Sequence, residues 1–130
     1  MIYLLILIYL LYFSYTDLKE NLIYNKSIIP LLLFSFIFSL ISFGFISTFI
    51  YLILFYVTSY LLIKLKIWKG GDVKIYLFLT LLLNNNIIIF SLILFSLEFL
   101  IGIYYYLKGI NKNIAFAPVF LISYIIYLVI

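Results

Sequence analysis

Six apolar runs alternate with short polar stretches along the chain. Residues 2–16 are almost wholly apolar, and Thr16 to Asn25 is polar. A second run covers 27–43, with Pro30 in its first turn, where a missing amide costs little. Ser42 to Ser47, around Gly44, reads as an uncharged turn. The third run, about 46–63, stops at Lys64, Lys66 and Lys69. The fourth begins at Asp72 or Val73 and ends near Leu83, before the polar turn Asn84-Asn85-Asn86. The fifth, about 87–107, contains Glu98. Lys108 to Asn113 is polar, and 114–130 is a sixth run with Pro118 in its first turn. None of these runs alternates as barrel strands would. The first is short of the roughly 20 residues a span needs, and reaches that length if its helix continues through Asp17 and Leu18. It lacks a basic start and a small-x-small site after it, so it reads as a span and not as a cleaved signal. The pattern predicts an all-α, polytopic integral membrane protein, a bundle of six transmembrane helices forming one membrane-embedded domain over 1–130.

Composition strengthens that expectation. The 130 residues are 69% hydrophobic, with a mean hydropathy of +1.39. Charged residues make up 9%, against roughly 25% in soluble domains. A soluble domain of this size has too little interior for so much apolar surface, so lipid must solvate it. The chain has neither cysteine nor histidine. That removes thiolate nucleophiles, the usual zinc ligands, and every Ser-His-Asp or Cys-His arrangement. No metal or cofactor is expected.

The net charge of +4 comes from lysines alone. Lys19 and Lys26 flank the first loop, Lys64, Lys66, Lys69 and Lys74 the third, and Lys108 and Lys112 the fifth. The second and fourth loops have none. This is the positive-inside pattern, not a nucleic-acid patch. It predicts odd loops in the cytoplasm and both chain ends outside.

The same parity places two carboxylates at one depth. Asp17 ends the first span and Asp72 opens the fourth, so both fall near the cytoplasmic face. An acid at the bilayer edge is expensive and must be paired or used. Two carboxylates that share a site cannot both ionise easily, so the pair holds one proton. The ionised member can take a proton from water while the protonated one polarises a peptide carbonyl. Gly70 and Gly71 would let a substrate backbone approach Asp72, and a helix N-terminus would favour its charged form. A blander alternative stays open: Asp72 as an N-cap, and Asp17 paired with Lys19 or Lys26.

The residues around both acids resemble a known family. Asp17-Leu18-Lys19-Glu20-Asn21-Leu22-Ile23-Tyr24-Asn25 resembles the first signature of type IV prepilin peptidases, an aspartate before a basic stretch and Ile-Pro-Asn. Ile23 and Asn25 match, and Tyr24 stands for the proline. Lys69-Gly70-Gly71-Asp72-Val73-Lys74 resembles the second signature, Gly-x-Gly-Asp-x-Lys. Gly71, Asp72 and Lys74 match, and Lys69 stands for the first glycine. Ala115-Phe116-Ala117-Pro118 is similar to a third, Pro-Phe-x-Pro-like element without its leading proline. The three segments stand in family order and cover most of the chain.

The resemblance implies a GxGD-type aspartic endopeptidase with Asp17 and Asp72 as the catalytic pair and Gly71 shaping the backbone beside Asp72. The expected substrates are prepilin-like or preflagellin-like proteins, cut near the cytoplasmic face to remove a short basic leader. The chain looks like the peptidase-only form, as in archaeal preflagellin peptidases, without methyl transfer.

The remaining polar residues have simpler readings. Glu98 reads as a bundle contact or a third ionisable group, and Glu20 as a solvated loop charge. Tyr104-Tyr105-Tyr106 reads as interfacial anchoring, and Trp68 as an anchor of its loop, with a place along the substrate path as the alternative. The rival to an enzyme is a small non-enzymatic membrane protein, a transporter subunit or assembly partner, in which both aspartates are helix-end caps. An ion carrier built on Glu98 would need more polar residues at mid-membrane than the chain has.

Overall fold

The computed structural model describes residues 2–20, 25–65, 67–68, 70–109 and 116–130. Every regular element among them is helical. In chain order they are α1 (Ile2–Glu20), α2 (Asn25–Phe43), α3 (Phe45–Lys64), α4 (Gly70–Leu83), a 3-10 turn (Asn84–Asn86), α5 (Ile87–Lys108) and α6 (Ala117–Val129). Ile23, Lys66, Lys69 and 110–115 lie outside the described residues.

Among the described residues, three helical stretches are long and apolar enough to cross a membrane: Ile2–Lys19, Phe45–Lys64 and the run Gly70–Lys108. The apolar parts of α2 (Ile28–Phe43) and α6 (Ala117–Val129) are shorter. At about 1.5 Å per residue, the 13 residues of α6 rise roughly 20 Å, less than the roughly 30 Å of a hydrocarbon core.

Burial is inverted relative to a water-soluble protein. Large apolar side chains such as Ile41, Ile46, Tyr56, Phe99 and Leu107 are exposed, while Ser35, Ser39, Thr48, Thr80 and Ser123 are buried. In a bilayer there would be nothing to gain by hiding the former, and small polar groups favour helix–helix contacts. Several satisfy themselves on their own helix: Ser35 donates to the Leu31 carbonyl at 2.7 Å, Thr80 to Tyr76 at 2.8 Å and Ser123 to Val119 at 2.8 Å.

The chain divides into two compact units, Met1–Asn21 with Ile88–Ile130, and Leu22–Ile87. In the first, α1 and α6 pack antiparallel. Their contact is pinned at one end by Tyr124, whose hydroxyl donates to the Tyr3 carbonyl at 3.0 Å. Phe90 of α5 meets Phe120 and Tyr127 of α6. Replacing Tyr124 by Phe removes one partly buried hydrogen bond and is expected to cost about 1 kcal/mol. The loss is read as a lower thermal unfolding midpoint in detergent with helix content unchanged.

In the second unit α4 packs against both α2 and α3. Gly44 joins α2 to α3 at φ 84°, a left-handed conformation that glycine adopts without steric cost. The Thr48 hydroxyl donates to the Gly44 carbonyl at 2.8 Å, so in its 2.9 Å contact with Ser39 it is the acceptor. Ser47 donates to Oδ1 of Asn84 at 2.8 Å, tying the start of α3 to the end of α4.

Three boundaries differ from the expected pattern. Because α2 begins at Asn25, Pro30 lies inside the helix and not in its first turn. α4 begins at Gly70, because first-turn amides have no intrahelical partner anyway and glycine there forfeits little. α6 begins at Ala117, so Pro118 is its second residue, where the missing amide is again one without an intrahelical partner.

Candidate active site

Asp17 closes the buried stripe of α1. Ile6, Leu10 and Phe13 are completely buried, and Asp17 follows at the same helical spacing, only 7% exposed. Its partner comes from 100 residues away, where the backbone amide of Ala117, the first residue of α6, donates to Oδ2 of Asp17 at 3.0 Å. No side chain caps α6 from its own N-cap residue, Phe116, so the α1 carboxylate fills that place. Lys19, two residues on, turns outward over the Tyr15 ring, 5.6 Å from its centroid, with its ammonium 3.4 Å from the Tyr15 hydroxyl. Lys19 thus engages Tyr15, while Asp17 makes a backbone contact between helices.

Beside this carboxylate lies an apolar recess of about 390 Å³, lined by Leu18, Leu100, Ile101, Tyr104, Tyr105, Pro118 and Val119. Leu18 follows Asp17 directly, and Pro118 follows the amide that holds it. Tyr104 and Tyr105 wall this recess, while Tyr106 is 86% exposed as an interfacial anchor would be.

Asp72 opens the equivalent stripe of α4. It is 4% exposed, and Ile75, Tyr76, Leu79 and Leu82 continue its face at helical spacing. It is the third residue of α4 and lies in the first turn, so it is not the N-cap. There it meets the positive end of the helix dipole. Gly70, Gly71 and Lys74 share this helix start. The stretch before it turns tightly, with the amides of Ile67 and Trp68 both reaching the Leu62 carbonyl, at 3.0 and 3.4 Å. Trp68 is 4% exposed and packs on Tyr76, ring centroids 5.0 Å apart. It anchors this segment to α4.

Gly70 is exposed, and a Cβ there would meet nothing within 4 Å. The fold itself does not require glycine at that position. Gly70→Ala is expected to be neutral to stabilising, by at most about 1 kcal/mol, in thermal unfolding. Any loss of activity in that variant then belongs to substrate approach.

Asp17 lies in the first unit and Asp72 in the second. Each stands at the lysine-bearing end of its own unit. Lys19 and Lys108 end α1 and α5, while Lys26, Lys64 and Lys74 lie at the start of α2, the end of α3 and the start of α4. Asn25 begins α2, and its side chain lies outside the described residues, as does all of Ile23. Glu98 is buried and shares the α5 stripe of Phe90 and Leu94, as expected of an acid deep within a run. The Ala117 amide is the partner of Asp17 that residue-by-residue reading misses. Its one local signal is a helix start at Phe116-Ala117-Pro118 with no capping side chain of its own.

No curated protein and no solved structure matches the chain. The model of the type IV leader peptidase family matches residues 4–130, a range that takes in both aspartate segments and the start of α6. With its apolar helices and all three signature-like segments inside that match, the chain belongs to the type IV leader peptidase family, a family of proteases.

Proposed function

We propose that the chain is an integral-membrane aspartic endopeptidase of the GxGD type. It removes the short basic leader of prepilin-like or preflagellin-like proteins at the cytoplasmic membrane face, with Asp17 and Asp72 as its catalytic pair. The observation that carries this reading is the burial of both aspartates, 7% and 4% exposed, each continuing an apolar stripe. A carboxylate in such a place costs stability unless it is paired or used.

In the proposed reaction the ionised member of the pair takes a proton from water. The resulting hydroxide oxygen bonds to the scissile carbonyl carbon while the protonated member donates to the carbonyl oxygen. Collapse of the tetrahedral adduct breaks the C–N bond: the leaving amine takes a proton from the carboxyl that received one, and the other carboxylate takes its proton back from a hydroxyl of the adduct. Gly70 and Gly71 admit the substrate backbone beside Asp72. Lys74, Ile23 and Asn25 shape the two signature segments around the acids.

All six helices cross the bilayer in this reading, with both termini outside and the two units acting as one peptidase domain. The recess at Leu18 and Pro118 opens toward lipid or substrate. The chain acts as a peptidase without methyl transfer, as the resemblance to the peptidase-only form implies.

The test is reconstitution of the purified chain in lipid vesicles with a prepilin-type precursor and mass spectrometry of the products. A single cut that releases the basic leader is the expected result. An intact precursor after prolonged incubation with folded protein would sink the proposal.

A further inference from the structure

The start of α6 has a feature that simple packing does not require. Asp17 accepts a hydrogen bond from the backbone, not from a side chain, at 3.0 Å in a buried setting. The donor's surroundings make that contact directional. Phe116 has no polar atom in its side chain with which to compete for the amide. Pro118 has no amide with which to draw the carboxylate away. The Phe120 amide is already committed to the Phe116 carbonyl at 2.9 Å. At the far end of the same helix pair the Tyr124 hydroxyl on the Tyr3 carbonyl fixes how far α6 slides along α1. The amide of Ala117 is thereby held level with Asp17.

We infer that the first amide of α6 is a positioning group for catalysis. It fixes the rotamer of Asp17 by engaging Oδ2 and leaves Oδ1 for water or the scissile carbonyl. This rests on the reading of Asp17 as a catalytic acid, and it gives the third signature-like segment, Phe116-Ala117-Pro118, a task. A catalytic carboxylate acts only in a narrow geometry, and a misplacement of about 1 Å costs on the order of 100-fold. A backbone donor on a helix end is stiffer than a side-chain donor, which has its own rotamers. The group acts through Asp17 and does not touch substrate.

Two measurements test it. The chain has only two alanines, Ala115 and Ala117, so labelling with 15N-alanine gives two amide signals. The Ala117 amide proton is expected downfield, the mark of a bond to a carboxylate, and is expected to move upfield in Asp17→Asn. A signal insensitive to that change overturns the inference.

For activity, the amide between Phe116 and Ala117 is replaced by an ester through an α-hydroxy acid at position 117. The ester is expected to lower kcat about 10-fold to 100-fold with KM within about twofold. An ester enzyme with unchanged kcat, or one whose loss falls entirely on KM, overturns the positioning role. If Asp17→Asn cleaves normally, the aspartic mechanism itself has failed. If Asp17→Asn is inactive while the ester is fully active, only this inference falls.

Discussion

Asp17→Asn is expected to lower cleavage by at least about 100-fold to 10,000-fold, the contribution of a positioned general acid or base, while the fold survives. Asparagine keeps an oxygen where Oδ2 now accepts the Ala117 amide, and it caps helices about as well as aspartate. The exchange gives up the charge of that hydrogen bond, a cost of about 1 kcal/mol. Asp17→Ala is expected to be equally inactive and to lose stability as well. It leaves the buried Ala117 amide without an acceptor, a cost of about 1–3 kcal/mol. The pair of variants separates chemistry from structure. If Asp17 served only to cap α6, asparagine would be active and alanine merely unstable. Both are measured by initial rates on a prepilin-type precursor in vesicles and by thermal unfolding in detergent. Cleavage by Asp17→Asn within about tenfold of the parent rate, well short of that expected loss, would remove Asp17 from the catalytic pair.

How far the chain could be read locally follows from the physics of its solvent. Apolar runs and polar breaks are visible because lipid imposes them on long windows, and the six helices fall within a few residues of the expected runs. Which face of each helix is buried was not visible, because a helix between lipid and a bundle is apolar on both faces. α3 illustrates this, with Thr48 and Ser59 as its buried residues and apolar side chains exposed around them. The polar residues were the better guide: Asp17, Ser35, Thr48, Asp72, Thr80 and Glu98 are all buried.

Local rules misplaced the start of α4 because glycine reads as a loop residue, although in a first turn its weak propensity matters little. Asn84, at φ 51°, reads only as a polar turn, though asparagine is one of the few residues that takes up the left-handed region readily. The contact between Asp17 and Ala117 spans 100 residues. The pairing of α1 with α6 decides it, and no local window contains both partners. The aspartates themselves were legible from rarity alone, since the chain has only four acids.

Asp72 is expected to respond differently from Asp17, because its structural contribution comes from its place in the first turn of α4. A charge there contributes about 0.3–1 kcal/mol through the helix dipole, and glutamate retains that interaction. Asp72→Glu therefore keeps the charge at the helix end. Its carboxyl, however, is carried one methylene further from the backbone, and a displacement of about 1 Å costs on the order of 100-fold in rate. Asp72→Asn keeps the shape of the side chain and removes the exchangeable proton, so cleavage should fall by about 100-fold to 10,000-fold. The decisive variant is the double one. Groups that act as a unit are not additive, so Asp17→Asn with Asp72→Asn should be no slower than the slower single variant. Two residues with separate roles would multiply their losses. A double variant slower by the product of the single effects would overturn the shared-water mechanism even if each single variant were inactive. An active Asp72→Glu would assign the residue to the helix end and leave the chemistry elsewhere.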